Sequence, residues 1–188
     1  KRLHKPLKKA TLYRERNEEQ RKYYIEQISQ YHNETLVYID ESGVDQCLYK
    51  DKAGHQGLKI YGEVTGRKYE RESFIAGKVG SRIIAPFCFK GTCNTNVFNT
   101  WVEKVLLPCL RPGQVVIMDN ASFHKSLKTK ELIESVDCKL IFLPPYSPDL
   151  NPIETFWANL KKSLTHIVHS FKSLSDTLDH LFQQVCSL

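Results

Sequence analysis

The eighteen residues LIFLPPYSPDLNPIETFW, Leu140 to Trp157, decide how the rest of the chain is read. Leu140–Leu143 is a short apolar run that fits a buried strand. Pro144, Pro145 and Pro148 then stop regular pairing, because each has a fixed φ and lacks an N–H. Asn151-Pro152 restarts the chain as a helix, with Asn151 placed to cap and Pro152 at the first helical position. On that frame Glu154 lies one turn into the helix, at the edge where an open sheet presents its ligands. A second reading fits equally well: Asn-x-x-Glu is also a capping box, with Glu154 bonding back to the Asn151 N–H.

Working outward, two more apolar runs resemble the first. Leu36–Ile39 leads into Asp40-Glu41-Ser42-Gly43, and Gln114–Met118 leads into Asp119-Asn120. Continuous apolar runs imply strands covered on both faces, hence a parallel trio. Between the first two runs, Gln46–Tyr49, Tyr69–Lys78 and Arg82–Phe89 read as antiparallel strands punctuated by glycines. Helices are expected from Asn17 to Asn33, capped by Asn17 and striped by Tyr24, Ile28 and Tyr31, and from Asn94 to Leu110. Others follow over Ser126–Val136 and Asn151–Leu164, and a last one is marked by Phe171, Leu174, Leu178, Leu181, Phe182 and Val185. The order predicts a single α/β domain with a mixed sheet, an antiparallel edge and flanking helices. That pattern fits an RNase H-like, retroviral-integrase-like fold.

Composition agrees with a globular protein: of 188 residues, 41% are hydrophobic and 26% charged. No apolar run approaches a membrane span and no signal peptide is visible. The only methionine is Met118 and the first residue is Lys1, so a fragment of a longer product is expected. The net charge of +6 is uneven: residues 1–30 carry nine Lys/Arg against four Glu, and the remainder eighteen against seventeen acids. A basic leader on a near-neutral body suits contact with a polyanion, and a solvated arm suits it equally. Six cysteines without a CxxC pair read as free thiols in a reducing compartment.

Two runs of the trio end in a carboxylate, Asp40 and Asp119, and the helix after the third brings Glu154. Parallel strands leaving a sheet at one edge would gather these acids. Clustered carboxylates repel unless a cation joins them, and an all-oxygen set suits Mg²⁺ or Mn²⁺. Three carboxylates holding two ions form a layout for phosphoryl transfer. Each acid alone also fits a turn or cap. Glu41 and Asp45 read as turn or surface groups. His124 reads either as a group that orients phosphate or water, or as a structural histidine. His166 and His169 read as a solvated face, Lys161 and Lys162 as surface lysines or phosphate contacts, and Tyr146 as a base-stacking ring or a cover for the loop.

The stretches VYIDESG (37–43), VIMDNASFH (116–124) and PPYSPDLNPIE (144–154) carry a family resemblance. They resemble DDE transposases of the mariner-like superfamily, with the bacterial insertion-sequence branch the closest match. Thirty-four residues separate Asp119 from Glu154, a spacing typical of many members. The resemblance runs from about Tyr13 to the C-terminus. It implies that Asp40, Asp119 and Glu154 are the catalytic, metal-binding triad, with two Mg²⁺ or Mn²⁺ ions as cofactor. It implies double-stranded DNA at transposon ends and target as partner, a homodimer or higher assembly on that DNA, and a bacterial, cytoplasmic, nucleoid-associated location. Residues 1–16 then read as a basic linker and 17–188 as the catalytic domain, with the helix-turn-helix region of such enzymes expected upstream. Two rivals stay open: another RNase H-like metal nuclease, and an inactive remnant that only binds DNA.

Overall fold

A computed structural model describes residues 16–45 and 71–186. Five strands form one sheet in the order β3-β2-β1-β4-β5. They are β1 (Leu36–Asp45), β2 (Arg71–Val79), β3 (Arg82–Lys90), β4 (Val115–Met118) and β5 (Lys139–Phe142). β1, β4 and β5 are mutually parallel, while β2 and β3 pair antiparallel on the β1 side. The three apolar runs are therefore the parallel trio, and the meander is the antiparallel edge. The expected strand at Gln46–Tyr49 lies outside the described residues.

Side-chain alternation divides the core. Val37, Ile39, Val116 and Met118 face α2 (Thr95–Trp101) and α3 (Leu127–Glu134), packing on Phe98, Trp101 and Ile133. On the opposite face, α1 (Glu18–Ser29) brings Tyr24 against Leu36, Val115, Ile117 and Ile141. The β2–β3 half of that face is covered by α4 (Ile153–Ile167) and α5 (Leu174–Cys186), through Trp157, Leu160, Leu164, Leu178 and Phe182 on Phe74 and Ala76. Each such large side chain, once buried, contributes roughly 1.5–3 kcal/mol. Asn17 caps α1 as its sequence implied, accepting from the Glu19 and Gln20 N–H groups at 3.0 Å each.

Two elements differ from expectation. β1 does not end at Asp40: its parallel partner β4 stops at Met118, but antiparallel β2 goes on pairing it as far as Asp45↔Arg71. The helix expected over Asn94–Leu110 is α-helical only to Trp101, then widens to a π turn at Val102–Leu106 and tightens to a 3₁₀ turn at Leu107–Cys109. Pro108 has no N–H to continue an α ladder there. Of the thiols, Cys138 is buried, Cys88 and Cys93 are half-buried, Cys109 is exposed, and all four are free.

Candidate active site

The register of β1 on β4 places the first two acids. Tyr38 pairs with Ile117, and the same offset carried two residues further sets Asp40 beside Asp119, just where β4 ends. Asp40, an even-numbered position, lies on the α4 face, and its Oδ2 accepts from the Trp157 indole N–H at 3.0 Å. Burial pushes the Asp40 carboxyl up to about 8, and the charges of Glu154, Glu41 and Asp119 add to that rise. The Glu41 backbone N–H offsets a small part. A carboxyl held protonated this far above the ordinary range is a mark of a site built around charge.

The third acid arrives through the proline loop. Leu143 donates its N–H to the Met118 carbonyl at 2.8 Å, and the Asn120 side chain donates to the Leu143 carbonyl. Tyr146 takes a left-handed backbone (φ 53°) between Pro145 and Ser147, and Ser147 Oγ donates to the Pro145 carbonyl at 3.1 Å. A 3₁₀ turn over Pro148–Leu150 follows, and Asn151 is extended before Pro152 enters helical geometry. The capping-box reading of Glu154 fails on the backbone: the Asn151 N–H donates to the Pro148 carbonyl at 3.0 Å. The Asn151 side chain caps nothing either, its buried Oδ1 having no partner among the described residues. Glu154 is left exposed on the first turn of α4.

Asp40, Asp119 and Glu154 line one cavity of about 510 Å³, whose other wall is the loop from Leu143 to Asn151. Among the described residues, no three Asp, Glu, His or Cys side chains stand close enough to enclose an ion as they are. The acids border an open bay rather than a closed cage. Mg²⁺ in particular is bound through one or two carboxylates with waters retained, so an open all-oxygen bay of this kind fits a hard dication.

Asp119 is held by its own loop. Its Oδ1 accepts from the Ala121 N–H at 2.9 Å and meets His124 Nδ1 at 2.6 Å. The other ring nitrogen of His124 meets Glu41 Oε1 at 2.8 Å. Burial opposes charge on His124, yet the hydrogen bonds to Asp119 and Glu41, and their charges, outweigh it and raise the ring to about 9. An imidazolium clamped between two carboxylates is the result. Burial would likewise raise Asp119, but the His124 bond, the Ala121 N–H and the charges of His124 and Lys125 take it below its ordinary value.

The sequence profile of the DDE superfamily endonucleases matches residues 35–178, which contain all three acids. The chain belongs to that family. Over 143 residues it is 27% identical to the Tc3 transposase of Caenorhabditis elegans, covering 66% of this chain and 40% of that protein. It is 35% identical over 69 residues to the Tc1 transposase of the same organism, 37% of this chain and 25% of that one. The chain thus spans less than half the length of these relatives. Its fold is similar to the Mos1 transposase in a paired-end complex with left transposon end (TM-score 0.66, 15% identity, 99% of this chain and 60% of that one). The crystal structure of the Mos1 mariner catalytic domain is similar too (TM-score 0.61, 14% identity, 95% and 85%). Other Mos1 structures carry Mn or Mg. The RNase H-like fold and the mariner-like DDE resemblance are both borne out.

For this DDE family member the sequence understated two residues. Glu41 is a half-buried partner of His124 rather than a turn or surface group, and His124 itself is fully buried. Strand alternation was the available signal, since it sends Glu41 to the face opposite Asp40, toward the loop carrying His124. His166 and His169 are exposed, as expected. Among the described residues no helix is long and apolar enough to cross a membrane.

Proposed function

We propose that this chain is the catalytic domain of a cut-and-paste transposase, acting on double-stranded DNA at transposon ends. The observation that carries this reading is the meeting of three carboxylates, from β1, the end of β4 and the start of α4, around one cavity in a DDE-family fold. Asp40, Asp119 and Glu154 would hold divalent cations, Mg²⁺ or Mn²⁺, as a pair. Bound there, such ions supply activation of the attacking oxygen and stabilisation of the leaving oxygen of a phosphodiester. The chain's own residues do the positioning. Trp157 fixes one Asp40 oxygen, and the Glu41–His124–Asp119 chain fixes the orientation of Asp119. The proline loop shapes the wall against which DNA would lie.

Water would first cut the strand, and the freed 3′-hydroxyl would then attack target DNA; no covalent enzyme intermediate is needed. Residues 1–16 act as a basic linker and 17–188 as the catalytic domain, working as a homodimer or larger assembly on DNA in a bacterial nucleoid. Oligonucleotides bearing pre-cut ends test the reading in Mg²⁺ or Mn²⁺. Strand transfer that Asp40→Asn and Glu154→Gln both abolish is expected. Cleavage without transfer would replace the reading by that of another metal nuclease, and DNA binding with neither reaction by that of an inactive remnant.

A further inference from the structure

Arg21 is 5% exposed, although it is a permanently charged side chain on the surface helix α1. Its two terminal nitrogens reach Asp149 in a two-pronged bond, Nη1 to Oδ1 at 3.0 Å and Nη2 to Oδ2 at 2.7 Å. The two residues are 128 positions apart. Burying a guanidinium is costly unless it is paired, and α1 already has Tyr24 and Ile28, with Tyr31 just beyond its end, to pack it on the sheet. Attachment of α1 therefore does not require the ion pair. What the pair does is hold Asp149, which sits in the 3₁₀ turn of the proline loop, between Tyr146 and Glu154.

That loop has little regular structure with which to keep its shape. Three prolines withdraw their N–H groups, and its internal bonds are local: Ser147 to the Pro145 carbonyl, Leu150 to the Ser147 carbonyl and Asn151 to the Pro148 carbonyl. Yet it forms a whole wall of the acidic cavity and delivers Glu154 at its far end. Planar bidentate pairing fixes direction as well as distance, which a single point charge cannot do. The geometry points to Arg21 as a positioning residue for the acidic site: through Asp149 it sets the proline loop, and with it the approach of Glu154 to Asp40 and Asp119. α1 directly follows the basic segment that ends at residue 16, so a pull on that segment would be transmitted to the cavity wall through the same bond.

This rests on the reading of the cavity as a metal-dependent nuclease site. The test is nicking of supercoiled plasmid by the 188-residue chain as Mn²⁺ is titrated, with the Mn²⁺-induced rise in unfolding temperature recorded alongside as a readout of binding that needs no catalysis. Removal of a group bonded directly to a metal ligand typically costs about 10–100-fold in metal affinity or activity, and Arg21 acts one contact further out, which places it at the low end. Arg21→Met is therefore expected to raise the Mn²⁺ concentration for half-maximal rate about tenfold, at temperatures where the variant is fully folded. Arg21→Lys should recover only part of this, because it restores charge without the fork. The double variant with Asp149→Asn should be no worse than Arg21→Met, since the two act through one contact. If Arg21→Met does not fold, Arg21→Lys is read in its place for the same shift. A folded variant whose half-maximal Mn²⁺ concentration matches the parent's would overturn the proposal. A parent that shows no Mn²⁺-dependent nicking overturns the nuclease reading instead, so the two failures are distinct.

Discussion

Replacing Asp40 with asparagine should make the metal-free protein more stable while removing its activity. In the unfolded chain this carboxyl ionises near 3.8, whereas in the fold burial and three neighbouring acids keep its proton on up to about 8. At pH 7 the folded state therefore holds a proton that the unfolded state has released. Each pH unit between the ordinary value and the working pH costs about 1.36 kcal/mol, which brings the penalty at pH 7 to about 4 kcal/mol. The sign follows from the raised folded value: no penalty exists below 3.8, it grows as pH rises, and it is complete above about 8. Asparagine cannot ionise, yet its Oδ1 can still accept from the Trp157 N–H. In chelator at pH 7, Asp40→Asn should unfold later by roughly 8–16 °C, taking about 2–4 °C per kcal/mol for a domain of this size. At pH 4.5 the gap should largely close. Adding Mn²⁺ should stabilise the parent and leave the variant unmoved, because the ion replaces the proton on Asp40. Thermal unfolding from pH 4.5 to 9, with chelator and with Mn²⁺, measures all of this. A variant no more stable than the parent at pH 7, or equally advantaged at pH 4.5, would refute the picture of Asp40 as a strained, charge-crowded carboxyl.

Three further outcomes are expected. Glu154→Gln should leave stability within ~0.5 kcal/mol, the range for surface substitutions that break no cap, and abolish metal-dependent cleavage; calorimetry beside the nicking assay checks both. His124→Asn should destabilise the fold, since the imidazolium between Asp119 and Glu41 has its pKa raised to about 9. The stabilisation it gives is complete below the ordinary 6.5 and fades as pH rises through 9, so over that window the parent should lose up to about 3 kcal/mol more than the variant, the loss caused by Asp40 being common to both. Denaturant unfolding at pH 6, 8 and 9.5 would show the difference. Deleting residues 1–16, which carry seven Lys/Arg, should flatten the salt dependence of non-specific DNA affinity; an unchanged slope would place the DNA surface elsewhere.

The parallel strands were legible because burial on both faces demands uninterrupted apolar runs, and 36–39, 114–118 and 140–143 are such runs. The acids after them were legible for the same reason, since a charged residue ends a stretch that must be dry on both sides. What could not be read was the continuation of β1 through Asp40-Glu41-Ser42-Gly43. Those residues have turn composition, and only the presence of β2 alongside keeps them extended. Alternation along β1 gives the face of Glu41 but does not name His124, 83 positions away, as its partner, and nothing local foretells the Arg21–Asp149 pair across 128. Such pairings are fixed by which faces meet in the packed sheet, and spacing along the chain carries no trace of them.

The mismatch in length between β1 and β4 explains how one sheet serves both stability and chemistry. β4 is only four residues long and ends at Met118, so Asp119 leaves the ladder at once and is free to be shaped by its own loop. β1 continues for five residues beyond Asp40, which keeps that acid in a rigid, paired strand with its side chain fixed to Trp157. Glu154 is neither in a strand nor committed to a cap, because Pro148 already takes the Asn151 N–H. The three acids thus differ in freedom: Asp40 is buried and immobile, Asp119 is clamped on one oxygen, and Glu154 stands exposed on the first turn of its helix. Repulsion among them is tolerated in three ways. Asp40 keeps its proton, Asp119 is neutralised by His124, and Glu154 stays in water. A dication entering the bay would displace the first of these protections, leave the second intact and draw on the third. On this arrangement Glu154 is the acid whose position depends most on the proline loop, and Asp40 the one whose proton must leave before metal can bind.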